Sequence, residues 1–147
     1  MGVRHFRSKL YCGDYQSLDN GRLVIDRKKD LLEIVSNVTT QHQRFRNELV
    51  RAQEAGIRII ILCEHGDGIR SMEDVSKWHN PRLDILKWEV VNGKPRRTQA
   101  FPNATTGERL AKALKSISKN YEVDFAFCEP SETGEMIVRL LGGETDG

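Results

Sequence analysis

The run Ile57-Arg58-Ile59-Ile60-Ile61-Leu62-Cys63 constrains this chain most. Apart from Arg58 it is continuous in β-branched and aliphatic residues up to its closing cysteine, the pattern of a strand buried inside a sheet. The chain offers such a strand several neighbours. Residues 3–10 alternate like a strand and end near a turn at Cys12-Gly13-Asp14-Tyr15, and Asn20-Gly21 is a hairpin signal. Leu23-Val24-Ile25 then runs into Asp26-Arg27-Lys28, an apolar strand that finishes in charge, and residues 123–128 form a further strand.

Helical patterns fill the spaces between these strands. One begins at Asp30 and carries Leu31, Ile34, Val35 and Val38, with the acid where a helix N-terminus favours negative charge. A second spans about 41–55, with Phe45, Leu49 and Ala52 facing inward and Gly56 as its stop. A short helix fits 71–78. Thr105 and Glu108 form a capping box for a long helix with Leu110, Leu114 and Ile117 on one face, and Ser131 caps a last helix with Met136, Ile137, Leu140 and Leu141 inward. Strands alternating with helices predict an α/β fold, a mixed central β-sheet flanked by helices. At 147 residues this is a single domain over 1–147, long enough to bury a core. One hairpin insertion is expected at about 80–103, where polarity rises and three of the four prolines fall. It comprises residues 86–91, the turn Asn92-Gly93 and residues 94–101.

Composition narrows the functional classes. Charged residues make up 30% against 38% hydrophobic, with 23 Lys+Arg facing 21 Asp+Glu, which excludes a wholly disordered chain and a collagen-like fibre. No apolar run is long enough to span a bilayer, no basic-then-apolar leader opens the sequence, and Phe6 breaks the myristoylation pattern after Met1-Gly2. Three cysteines without a CxxC pair fit free thiols in the cytoplasm. Cys63 and His65 lack a second ligand pair at zinc-finger spacing and read as strand-end residues. The net charge of +2 does not announce a nucleic-acid partner, so the distribution of charge must decide.

The informative cluster is Gly13-Asp14-Tyr15, Ile25-Asp26-Arg27-Lys28 and Asp30. Residues two apart on a strand share a face, so Asp26 and Lys28 project together and Arg27 points the other way. If the segments flanking Asn20-Gly21 pair, Asp14 adds a second carboxylate. Two carboxylates with a lysine suit metal-dependent phosphodiester cleavage, because oxygen ligands hold Mg²⁺ while it keeps several waters, one of which attacks. The lysine orients that water and offsets charge growing on the phosphate.

These residues resemble the GD…ERKxxxD signature of the XPF-type structure-specific endonucleases, a branch of the PD-(D/E)XK nuclease superfamily with a restriction-endonuclease-like core. Gln43 falls where that family has a glutamine in the following helix. Residues 59–64 resemble its next core strand, which ends in Glu, and residues 133–141 resemble its closing helix. The resemblance covers most of the chain, most closely residues 10–64. It implies a DNA endonuclease dependent on Mg²⁺ or Mn²⁺, with Asp14 and Asp26 as metal ligands, Lys28 as catalytic lysine and Arg27 supporting the site. Asp30 and Gln43 are further candidates. The family glutamate is Asp26 here, and Asp30 follows Lys28 by two positions where the family has four. The acidic D-x-R-E motif of the family's first strand does not precede Gly13, and no helix-hairpin-helix module is present, so selectivity for forks or flaps does not carry over.

Each candidate also has a plainer reading. Asp-Arg-Lys-Lys-Asp taken alone is a solvated turn. Asp30 is equally a helix cap, His42 a surface histidine, His65 a loop residue, and Lys112, Lys115 and Lys119 a wet helix face. Arg44 joins Trp88, Arg96 and Arg97 as DNA-binding candidates: with Lys87 and Lys94, the hairpin residues can stack on bases and hold phosphates. Alternatively Trp88 packs on the sheet while the cations guard an edge. The expected partner is DNA, duplex or branched, with a homodimer left open and no membrane. Against the nuclease stands a non-catalytic nuclease-fold protein that binds DNA or a protein partner, for example a phage factor acting on host machinery. A structural adaptor would leave the Asp14, Asp26 and Lys28 combination unexplained.

Overall fold

The computed structural model describes residues 22–142 and the strand segments His5–Arg7 (β1) and Tyr15–Ser17 (β2). Its centre is a five-stranded sheet in the order β1-β2-β3-β4-β7, where β3 is Leu23–Lys28, β4 is Arg58–Cys63 and β7 is Asp124–Phe127. β1, β2 and β3 pair antiparallel, whereas β3, β4 and β7 run parallel. The fold is therefore mixed α/β, with helices on both faces of the sheet.

Period-two alternation on β3 and β4 feeds two cores. Ile59, Ile61 and Cys63 face one side, where they pack with α1 (Leu31–Val38), α2 (His42–Glu54) and α4 (Gly107–Tyr121) through Ile34, Leu49, Leu110 and Leu114. Leu23, Ile25, Ile60 and Leu62 face the other side and pack with Ile137 and Leu141 of α5 (Thr133–Gly142). Fully burying one such aliphatic side chain contributes roughly 1.5–3 kcal/mol. As the pattern required, Phe45, Leu49 and Ala52 are the buried residues of α2, and Gly56 follows it at φ +71°.

Two helix starts differ from the sequence reading. α4 is capped by Thr106, whose hydroxyl accepts from the Arg109 N–H, and not by Thr105, whose carbonyl accepts from the Asn80 side chain. Ser131 does not cap α5. It lies in a 3₁₀ turn, Pro130–Glu132, closed by reciprocal bonds between Glu129 and Glu132, and α5 starts from that turn. Both differences have one cause: adjacent hydroxyl and acidic residues offer several caps, and packing selects among them. Gly107, for instance, sits so close to α3 (Met72–Lys77) that a Cβ would run into the carbonyls of Val75 and Trp78.

Between β4 and β7 the chain leaves the sheet. After α3, a 3₁₀ turn (Pro81–Asp84) leads into β5 (Leu86–Val91) and β6 (Lys94–Gln99), which form a separate two-stranded ribbon. Asn92 and Gly93 both adopt positive φ (54° and 78°), as a tight primed hairpin turn demands. Among the described residues no helix is long and apolar enough to cross a membrane.

Candidate active site

The three parallel strands end together at Lys28, Cys63 and Phe127, and the loops beyond them meet there: the Glu64 N–H donates to the Lys28 carbonyl and the Gly66 N–H to the Cys128 carbonyl. Crevices outside the carboxyl ends of parallel strands are where open α/β sheets take ligands. Asp26 and Lys28 stand at this end on the same face, registered against Ile61 and Cys63. Lys28 Nζ lies 3.4 Å from Asp26 Oδ2, and their side chains are only 11% and 15% exposed. Their shared face follows from sequence spacing alone. Their withdrawal from solvent does not, and it strengthens the pair relative to a surface ion pair.

Arg27 points to the opposite face, registered against Leu62, and there its guanidinium grips Glu64 with both arms. Nε donates to Oε2 at 2.7 Å and Nη2 to Oε1 at 2.8 Å. The Thr133 hydroxyl, at the start of α5, donates to the same Oε1 at 2.5 Å. Burial alone would raise the Glu64 carboxyl, but the hydrogen bonds from Arg27 and Thr133 and the Arg27 charge outweigh it and hold the group below its ordinary value. Glu64 and Thr133 did not stand out in the sequence as a joint site. The signal that finds them is parity: Glu64 lies two residues past Leu62, the register partner of Arg27, and so shares its face.

The remaining candidates divide clearly. Asp14 lies outside the described residues. Asp30 is a helix cap: in extended backbone, its side chain accepts from the Glu33 N–H at 2.9 Å, while Glu33 accepts from the Lys29 N–H at 2.6 Å. Gln43 is exposed on α2 and donates to Asn47 one turn on, and Arg44 pairs with Glu48 at 3.7 Å. His65 lies in the loop after β4, and its ring makes a long-range bond. Its Nδ1 accepts from the Leu31 N–H at 3.0 Å, and its ring meets Trp78 edge-on at 6.0 Å, which ties the end of β4 to the start of α1. Cys63 is fully buried, and burial pushes its thiol up to about 12. That keeps it protonated and inert at neutral pH.

The hairpin cations do not act as one group. Register pairs Trp88 with Arg97 and Glu89 with Arg96, so Leu86, Trp88, Val90, Pro95 and Arg97 share one face, while Lys87, Lys94 and Arg96 share the other with Glu89. Trp88 is 71% exposed and does not pack on the central sheet. Arg97 lies over its ring with the guanidinium carbon 5.8 Å from the centroid. At the foot of the ribbon, Arg82 covers Phe101 at 5.3 Å, and both line a cavity of about 330 Å³ against Leu32 and Val35 of α1 and Thr39 just after it.

Comparison of the chain with family models, curated proteins and solved structures returned no match.

Proposed function

We propose that this protein is a divalent-metal-dependent DNA endonuclease, related to the XPF-type branch of the PD-(D/E)XK nucleases, that hydrolyses phosphodiester bonds at the end of β3. The observation that carries this reading is the Asp26–Lys28 pair: one acid and one lysine on a single strand face, 3.4 Å apart and shielded, where parallel strands end. The antiparallel pairing of β2 with β3 supports it, since Tyr15 is the register partner of Ile25 and the two residues flank Asp14 and Asp26 in sequence. Asp26 and Asp14 are the proposed metal ligands. Among the described residues no three His, Cys, Asp or Glu side chains converge, yet Mg²⁺ accepts one or two carboxylates and fills its shell with water, so this donor set fits Mg²⁺ or Mn²⁺. Bound there, the ion supplies Lewis acidity and an activated water.

The chain's own residues do the rest. Lys28, held beside Asp26, brings a positive charge to the reacting phosphate and donates hydrogen bonds to an attacking oxygen. Arg27 acts from the far side of the sheet. By clamping Glu64 it fixes the ends of β3 and β4 relative to α5, which makes it a positioning residue. Buried free thiols at Cys63 and Cys128, one in each core, accord with work in the cytoplasm.

The test is cleavage of plasmid and fork DNA in Mg²⁺ or Mn²⁺. The native protein should nick or cut, and Asp26→Ala and Lys28→Ala should each lose about a hundredfold or more in rate. No cleavage by any version, with DNA retention unchanged across them, would overturn the catalytic reading. The second reading, a non-catalytic descendant that binds DNA or a protein partner through this face, is favoured by Glu64: the strand-end acid has both oxygens occupied by Arg27 and Thr133.

A further inference from the structure

A separate two-stranded ribbon with a largely exposed tryptophan, aligned with two further exposed apolar residues, calls for an occupant. On the hairpin, Leu86 is 46% exposed, Trp88 71% and Val90 72%, and alternation puts all three on one face. The turn chemistry of Asn92-Gly93 and the Glu89–Thr98 side-chain bond at 3.1 Å shape the ribbon from within. Its root is held by the Ala100 N–H bonded to the Ile85 carbonyl and by the Gln99 side chain bonded to the Leu83 carbonyl. The apolar face is therefore presented by a supported element. Residues 86–99 carry four cations, Lys87, Lys94, Arg96 and Arg97, against the single acid Glu89.

We infer that the Leu86-Trp88-Val90 face is a stacking platform for unpaired bases of a nucleic-acid strand, with Arg97 over one side of the indole, the bases on its exposed remainder, and Lys87, Lys94 and Arg96 reaching the phosphates. This deepens the DNA-directed reading above and rests on it for the class of partner. Three arguments select a strand with unpaired bases. Every base has an apolar face that an indole covers without regard to sequence, and a duplex already hides those faces within its own stack. A duplex surface of phosphate and sugar would leave Leu86 and Val90 without an apolar partner. Strands in a ribbon lie only about 4.8 Å apart, so long cationic stems on the reverse face can curl round its open edges to a backbone running along it. A second copy of the chain is a poorer occupant. A two-fold contact through the apolar face would oppose Arg97 to its own copy, and that face carries no acid to meet it.

Binding can be read without catalysis. Native protein, Trp88→Ala, Trp88→Phe, Arg97→Ala, Arg96→Ala and Asp26→Ala would be titrated in EDTA against a fluorescent oligothymidylate of about 16 nucleotides and a blunt duplex of equal length. Native protein should prefer the single strand. Trp88→Ala should weaken that binding on the order of tenfold or more, with little change for duplex, and Trp88→Phe should retain most of it. Arg97→Ala should also weaken single-strand binding, and Arg96→Ala should flatten its salt dependence by roughly one counterion. Asp26→Ala should bind as the native protein does, so a failed cleavage assay beside intact, Trp88-dependent binding would remove the nuclease reading and leave this one standing. Equal affinity of native protein and Trp88→Ala for the single strand would overturn it. So would a preference for duplex, or a dimer that Trp88→Ala dissociates while strand affinity stays unchanged.

Discussion

Glu64 shows how one side chain can join layers that sequence keeps apart. Its carboxylate accepts from Arg27 on β3 and Thr133 on α5, so three chain segments meet at two oxygens. Because those bonds hold its ionisation below the ordinary value of 4.5, the group contributes stability that is fully present above that value and lost as pH falls through its lower folded value. Glu64→Gln keeps the shape but loses the charge-assisted bonds. It should cost about 1–3 kcal/mol at pH 7. In urea unfolding, the gap to native protein should begin to close as pH falls below about 4.5 and vanish once the pH has passed the lower folded value, where the native carboxyl is protonated too. A gap of constant size down to acid pH would show that the clamp does not depend on ionisation. The parity of Arg27 was readable beforehand. Its partner was not, because a parallel register across a long crossover is set only when both strands are packed.

Among the elements, the β5–β6 ribbon shows how local signals and long-range packing divide the work. Its turn and two strands followed from Asn92-Gly93 and the segments 86–91 and 94–101 on either side of it. What closes its foot is Asn80, fully buried, whose side chain accepts from the Arg82 N–H at 2.9 Å and donates to the Thr105 carbonyl at 2.9 Å across 25 residues. A buried asparagine is stable only with such bonds made. Asn80→Ala should strand both backbone partners and lower stability by about 1–3 kcal/mol, measured by urea midpoint, whereas an exposed substitution such as Lys87→Ala should stay within about 0.5 kcal/mol. No loss in Asn80→Ala would mean that water replaces the side chain without penalty. The cap misassigned to Thr105 belongs to the same junction: its carbonyl is taken by Asn80, and Thr106 caps α4.

For the molecule as a whole, the sheet and the ribbon are separable in energy. Both cores are built from the sheet and its helices, and none of their buried residues lies in β5 or β6. Replacing 86–99 by a short glycine turn should therefore leave cooperative unfolding near the native midpoint while abolishing the single-strand preference, with circular dichroism and the titration above as the two readouts. Collapse of the fold on deletion would show that the ribbon supports the core through its Phe101 and Arg82 root.

Much of this arrangement was fixed by residue order. Period-two alternation in an α/β chain puts Asp26 and Lys28 on one face and Arg27 on the other, and an apolar run such as 57–63 has to be a central strand, since no other placement hides it from water. Those are local consequences of backbone geometry and hydrophobic burial. Packing decided the rest: that Asp30 serves α1 as its cap, that His65 holds that helix's first N–H, that Glu64 is consumed by a clamp, and that the hairpin cations split between two faces. The Asp30 cap is local, a bond to the N–H three residues on, whereas the others depend on which groups meet across 34 or 37 residues or across a ladder. Polar side chains with several possible partners take the one that the buried framework brings within hydrogen-bond reach.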